Sequence, residues 1–138
     1  MQEIFLAAKE QIFLCNSVVD EEIALQFLKH KAQHLPAIQK KVKDNFQILN
    51  HWMQQQNFLE WVTPQAGVIC FPRLKNGVHA NMPAFYDTLY HRYKTLVGPG
   101  HWFEMDKRYM RIGYGWPTAQ ALQKGLENIT QALKEHLQ

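Results

Sequence analysis

The apolar pattern of this chain changes period once, near Gln55, and that change limits the folds open to it. Upstream, Ile38, Val42, Phe46, Leu49 and Met53 recur at steps of four, four, three and four, the spacing of a helix with one apolar face, and Pro36 suits its first turn. Downstream, Phe58 to Val62 and Val68 to Leu74 are short β-prone runs around the turn Thr63-Pro-Gln-Ala-Gly67, which predicts a strand pair joined at Gly67. After a turn at Lys75-Asn76-Gly77, the residues Met82, Phe85, Leu89 and Tyr93 mark one face of another helix. A short strand from Thr95 to Gly98, a sharp loop at Gly98-Pro99-Gly100 and a strand from Tyr109 to Gly115 follow. Pro117 then opens a last helix carrying Leu122, Leu126, Ile129, Leu133 and Leu137. The order β-β-α-β-β-α implies an α+β fold, a small mostly antiparallel sheet with helices on one face.

The first 35 residues fit that unit poorly. Ile4, Phe5, Ala8 and Ile12 predict a helix from Gln2 to about Leu14 that stops near Asn16. Ser17 followed by Asp20 resembles a variant capping box, opening a second helix whose buried stripe is Ile23, Ala24, Phe27 and Leu28 and which ends before Pro36. Residues 1–35 therefore read as the helical tail of another domain, and residues 36–138 as a self-contained domain with a long connecting helix.

With 138 residues, 46% of them hydrophobic, the chain can bury one real core but not two ordinary ones. A net charge of +3 without a basic run argues against a nucleic-acid partner. The early acidic residues and short apolar runs give no signal or membrane segment. The two cysteines, Cys15 and Cys70, have no metal-ligand or redox spacing, so a soluble protein of the reduced cytoplasm is expected.

The residues most suggestive of chemistry are Val97-Gly-Pro-Gly-His-Trp-Phe103 and Tyr109-Met-Arg-Ile-Gly-Tyr-Gly115. In a strand, Tyr109, Arg111 and Gly113 share one face while Met110, Ile112 and Tyr114 share the other. Arg111 then points to the face that Gly113 leaves open. A guanidinium on a rigid strand with free space beside it suits bidentate recognition of a carboxylate; equally, Arg111 could pair with Glu104 or Asp106 as a structural ion pair. Pattern alone leaves both readings open.

Gly98-Pro99-Gly100 followed by Phe103, then Arg111-Ile112 in a strand, resembles the Pro-Gly, Phe and Arg series of fold type I PLP-dependent aminotransferases. Pro64-Gln-Ala-Gly-Val-Ile-Cys-Phe71 is similar to the family's small-domain segment, in which a Gly precedes an aromatic strand, except that the usual second Gly is Val68. The resemblance spans nearly the whole chain, with residues 1–35 matching the segment after the cofactor lysine and Leu35 to Gln55 the helix joining large and small domains. It implies that Arg111 grips the α-carboxylate of an amino acid or 2-oxo acid, and that His101, Trp102 and Phe103 line the substrate side-chain pocket. It also implies that pyridoxal 5'-phosphate is held by a large domain absent from this chain and that the chain alone does not transaminate. A related PLP lyase, decarboxylase or acyl-transferring enzyme shares the scaffold. Lys9 and Lys31 lack the Ser or Thr context of a cofactor lysine.

The remaining candidates are weaker. His30 and His34, at i and i+4, have no acidic or thiol partner fixed nearby, and His51, His79, His91 and His136 read as ordinary histidines. Tyr114 and Trp116 read as packing residues, and Trp102 has an alternative reading as a core residue. Neither Asn76-Gly77 nor the Gly98-Pro99-Gly100 loop has phosphate-loop spacing. Outside the resemblance, the chain also reads as a stand-alone, non-catalytic α+β interaction module, recognisable by an Arg111 satisfied by internal acids and no open pocket beside Gly113. Loss of a catalytic domain would uncover the apolar faces of the first two helices and of the sheet and favour self-association, which predicts a homodimer or a swapped oligomer.

Overall fold

A computed structural model describes residues 2–12 and 17–138. Cys15 and the expected stop of the first helix near Asn16 lie outside the described residues. The elements in chain order are α1 (Gln2–Ile12), α2 (Val18–Lys29), α3 (Lys31–Gln54), β1 (Leu59–Glu60), β2 (Ile69–Cys70), β3 (Arg73–Leu74), α4 (Met82–His91), β4 (Gly98–Pro99), a 3₁₀ turn (Gly100–Phe103), β5 (Met110–Gly113) and α5 (Ala119–His136). Every named strand pairing is antiparallel, in the order β1-β3 and β2-β5-β4, so the fold is α+β as the pattern implied. The chain divides into two compact units, residues 1–38 and 39–138.

In the first unit the Ser17 cap forms as expected, its Oγ accepting from the Asp20 amide at 3.4 Å. The stripe expected to be buried is not: among the described residues none of α2 is buried, and Ile23 and Leu28 are 63% and 60% exposed. Periodicity reports that a helix is amphipathic; whether a surface covers its apolar face is a separate matter. Pro36 is also displaced from its expected place, being the sixth residue of α3 and not a first-turn residue. Its missing N–H forgoes a bond to the Ala32 carbonyl, which the helix tolerates because the turns on either side are formed.

In the second unit the later part of α3, together with α4 and α5, surrounds one core. Leu49 and Met53 of α3, Phe85 and Leu89 of α4, and Leu126, Ile129 and Leu133 of α5 are buried in it. Into the same core β5 sends Met110 and Ile112, with Tyr114 just beyond its end. Thr118, through an Oγ1 bond from the Ala121 amide at 3.2 Å, caps α5, so that helix starts two residues after Pro117 and not at it. Tyr93 lies past the end of α4 and is half-buried against the core, while Trp116, expected to pack, is 91% exposed under the Lys41 ammonium, 5.8 Å from its ring centroid.

The strands differ most from expectation. The run from Val68 to Leu74 breaks at Phe71-Pro72 into β2 and β3, and the two halves take different partners: β3 pairs with β1, β2 with β5. Pro72 has no N–H to continue a ladder. The strand expected over Thr95 to Gly98 shrinks to β4, and two residues of the expected Gly98-Pro99-Gly100 loop are themselves that edge strand. Proline is admissible there because an edge residue can direct its nitrogen away from the ladder.

One buried amide ties α3 to the end of β5. Asn45, 2% exposed, donates from Nδ2 to the carbonyls of Tyr114 at 2.8 Å and Pro117 at 3.0 Å. Replacing Asn45 by Leu strands both carbonyls, and urea denaturation should show a loss of about 1–3 kcal/mol. Lys124→Ala, which removes only an exposed i,i+3 ion pair, should change stability by less than about 0.5 kcal/mol.

Candidate functional site

β5 lies between two strands, with Gly98 of β4 opposite Arg111 and Ile69 of β2 opposite Gly113. Its burial alternates: Met110 and Ile112 inward, Arg111 and Gly113 outward. Gly98 matters because a Cβ there would lie 2.9 Å from Phe103 Cε2 and 3.3 Å from Arg111 Cβ. Without that Cβ the Phe103 ring fills the space beside the strand and lies under the Arg111 guanidinium, 5.6 Å from it. The face beside Gly113 is open, with nothing within 4 Å of where its Cβ would be.

From Arg111 a row of rings continues across the sheet. Phe103 meets Phe71 edge-on at 5.8 Å, Phe71 stacks on Tyr109 at 5.3 Å, and the guanidinium of Arg73 lies over Tyr109 at 5.6 Å. Arg73 is in turn 2.7 Å from Glu60, its cross-strand partner in the β1–β3 register. Tyr86 donates to the Tyr109 carbonyl at 2.8 Å, and burial raises its hydroxyl pKa. Two neighbouring cavities open along this row. One, of about 460 Å³, is lined by Val62, Pro64, Ile69, Cys70 and Phe71 together with Phe103 and Arg111. The other, of about 440 Å³, shares Val62 and Phe71 and adds Glu60, Trp61, Arg73 and Tyr109.

Among the described residues, the internal ion pair expected as an alternative for Arg111 is not formed. The chain has four arginines. Arg73 pairs with Glu60, Arg92 with Glu135 and Arg108 with Asp106. Among the described residues no carboxylate comes within 4.0 Å of Arg111. Asp106, one of the acids expected to compete for it, accepts from the Arg108 amide at 2.8 Å and from its guanidinium at 3.2 Å, and the amide bond above all holds its pKa down. Glu104, the other, caps the 3₁₀ turn in a left-handed conformation at φ 58°.

Of the residues expected to form a site, the fold brings Arg111 and Phe103 together. His101 and Trp102 are exposed, their rings in an edge contact at 6.3 Å, and neither lines the Arg111 cavity; Trp102, 60% exposed, is not in the core. His30 lies with Nδ1 2.8 Å from the Gln26 carbonyl, and His34 stacks on Phe27 at 5.5 Å. Among the described residues no cluster of His, Cys, Asp and Glu is arranged to hold a metal, and no helix is long and apolar enough to cross a membrane. Val68, where the resemblance expects a second glycine, packs into the space that Gly115 leaves, and its carbonyl accepts from the Tyr114 amide at 2.9 Å.

Solved structures share this fold. An aminotransferase from Streptococcus suis described as PLP-dependent superimposes with a TM-score of 0.77 at 25% identity, over 96% of this chain and 34% of its own. The fold is that of the carboxy-terminal part of a PLP-dependent aminotransferase. An archaeal alanine:glyoxylate aminotransferase matches equally, with a TM-score of 0.77 at 25% identity over 94% of this chain and 33% of its own. The α-aminoadipate aminotransferase LysN from Thermus thermophilus shares the aminotransferase fold at 16% identity, with a TM-score of 0.75 over 94% of this chain and 34% of its own. The chain thus spans about a third of the aminotransferases it matches. No family model and no curated protein sequence matches it.

Cys70, on the floor of β2, is 4% exposed, and burial pushes its thiol up to about 12 against the lowering effect of a backbone hydrogen bond at Ile112. Only a thiolate alkylates readily. In the folded chain at pH 8, mass spectrometry after iodoacetamide treatment should find Cys70 unlabelled, and after unfolding it should be labelled. Between its ordinary value of 9.0 and about 12, the unfolded chain releases a proton that the folded chain keeps. Folding stability should therefore fall with rising pH across that window and show no Cys70 contribution below it.

Proposed function

We propose that this chain is the substrate-binding and closing part of a PLP-dependent aminotransferase acting on an amino acid and a 2-oxo acid, with Arg111 gripping the substrate α-carboxylate. One observation carries the reading: Arg111 is the arginine left without a carboxylate among the described residues, on a rigid central strand, over an aromatic ring and beside an open cavity. A planar guanidinium in that setting offers two parallel donors to an incoming carboxylate. Similarity to proteins that are themselves named aminotransferases supports the same role.

Among the described residues, those lining the two cavities do not fit PLP. That cofactor, which stabilises negative charge at the substrate Cα, needs a lysine, an acid for its ring nitrogen and a phosphate cradle. Among the described residues no lysine lines either cavity beside the aromatic row, and Lys40 and Lys41 are engaged with Asp44 and the Trp116 carbonyl. The cofactor therefore belongs to a separate large domain, and this chain alone is inactive. In that arrangement residues 1–35 close the large domain, residues 36–138 form the small domain with its connecting helix, and two parent chains form a homodimer in the cytoplasm. The small domain's contribution is orientation and exclusion: a fixed carboxylate sets the bonds at Cα relative to the cofactor, and closure expels water.

A stand-alone interaction module is the competing reading, favoured by the exposed Ile4, Phe5, Ile23 and Leu28. Reading the frame upstream of the Met1 codon separates the two. If it encodes a PLP-binding domain, Arg111→Ala in the whole enzyme should lower kcat/KM for the amino acid by about 10- to 100-fold with cofactor absorbance unchanged. Unchanged kcat/KM would remove the carboxylate role, and an upstream frame without such a domain would leave the interaction module in its place.

A further inference from the structure

The turn between β3 and α4 carries a reactive pair, Asn76 and Gly77, that lines neither cavity beside the aromatic row. The Val78 amide donates to the Lys75 carbonyl at 3.1 Å, so these two are the central residues of a tight turn, and both are exposed. Gly77 takes φ +83°, a conformation that favours glycine. Among the described residues the Gly77 amide donates no hydrogen bond and the Asn76 side chain makes none. A bond from the Gly77 nitrogen to Asn76 Cγ would close a five-membered ring. Attack within one chain avoids the entropy of bringing two reactants together, and glycine has no Cβ to crowd the approach.

The other described asparagines lack this combination. Asn45 and Asn128 are 2% and 6% exposed, with Nδ2 held by carbonyl or hydroxyl oxygens. Asn50 lies within α3, where the next amide is committed to the helix. Asn81 accepts from the Ala84 amide at 3.3 Å, and Asn57 is followed by the bulky Phe58.

We infer that Asn76 is a site of spontaneous deamidation, and that the modification loosens the turn joining β3 to α4. The Gly77 nitrogen gives its proton to base and bonds to Asn76 Cγ, while the side-chain nitrogen leaves as ammonia with a proton from water. Water then opens the succinimide. Breaking the new bond to Cγ leaves an aspartate; breaking the original main-chain bond leaves isoaspartate, whose backbone runs through Cβ and Cγ. Water is the sole co-reactant, and nothing is oxidised or reduced. Either product lowers the net charge of +3 by one. Isoaspartate also lengthens the ring closed by the Val78–Lys75 bond, beside the Lys75 amide that extends the β1–β3 pairing by donating to the Phe58 carbonyl at 2.9 Å.

The test holds the full 138-residue chain at pH 8 over days and maps its peptides by mass spectrometry, using a protease that cuts before aspartate but not before isoaspartate. Asn76 should convert at least about tenfold faster than Asn57, and faster still as pH rises. An acidic isoform should appear on cation exchange and be missing from Asn76→Gln, whose side chain is one methylene too long for the ring. Equal conversion at Asn57, or survival of that isoform in Asn76→Gln, would overturn the assignment. So would an Asn76 that converts in urea but not in the folded chain, because the turn would then hold the pair apart. In the isoaspartate form the Val78 amide should exchange with deuterium faster than in fresh protein, and unchanged exchange would refute the loosening of the turn.

Discussion

The alternation of β5 is the constraint on which the rest of the second unit depends. Bonded on one edge to β2 and on the other to β4, the strand cannot rotate about its axis. Its side chains must go alternately to opposite faces. Burying Met110 and Ile112 in the core that also holds Phe85, Leu89, Leu126 and Leu133 therefore obliges Arg111 to face outward. A slip of one residue would put a guanidinium in the core and expose both apolar side chains, a change costing several kcal/mol. Arg111 needs no dedicated partner to aim it, because the hydrophobic core does so from the other side of the sheet.

Legibility in the sequence follows from how much local pattern each element carries. α5 and β5 were readable because their periods of 3.6 and 2 persist over enough residues to stand out. The two-residue strands β1, β2, β3 and β4 carry almost no period, and their partners are set by tertiary packing. Gly98-Pro99 illustrates the conflict: turn chemistry points to a loop, yet pairing with Arg111 and Met110 makes the segment an edge strand. α2 shows the opposite failure, a correct amphipathic helix whose apolar face lies uncovered.

The candidate site divides along the same line. Arg111 and Tyr109 share a face by strand alternation, and Phe103 came from resemblance. His101 and Trp102, adjacent in sequence to Phe103, are turned outward because the 3₁₀ turn from Gly100 sends consecutive side chains about 120° apart. Phe71, Arg73 and Glu60 enter only through the registers of β1–β3 and β2–β5, which no local signal announces. With the register known, opposite charges facing each other at Glu60 and Arg73 are an ordinary cross-strand pair.

That pair shapes the charge around Arg111 while contributing little to stability. Exposed and half-exposed ion pairs such as Arg73–Glu60, Arg92–Glu135 and Arg108–Asp106 add at most about 1 kcal/mol each to folding. Their larger effect is to remove three guanidinium groups from competition for an anion. Arg111 keeps its charge uncompensated by any described carboxylate, over a ring that favours cations and beside walls that exclude competing dipoles. As a ligand or a covering domain displaces water from those walls, the effective dielectric falls and the guanidinium–carboxylate attraction grows. On the proposed reading, recognition of a carboxylate is coupled to closure: the attraction grows as the apolar surface around Arg111 is covered.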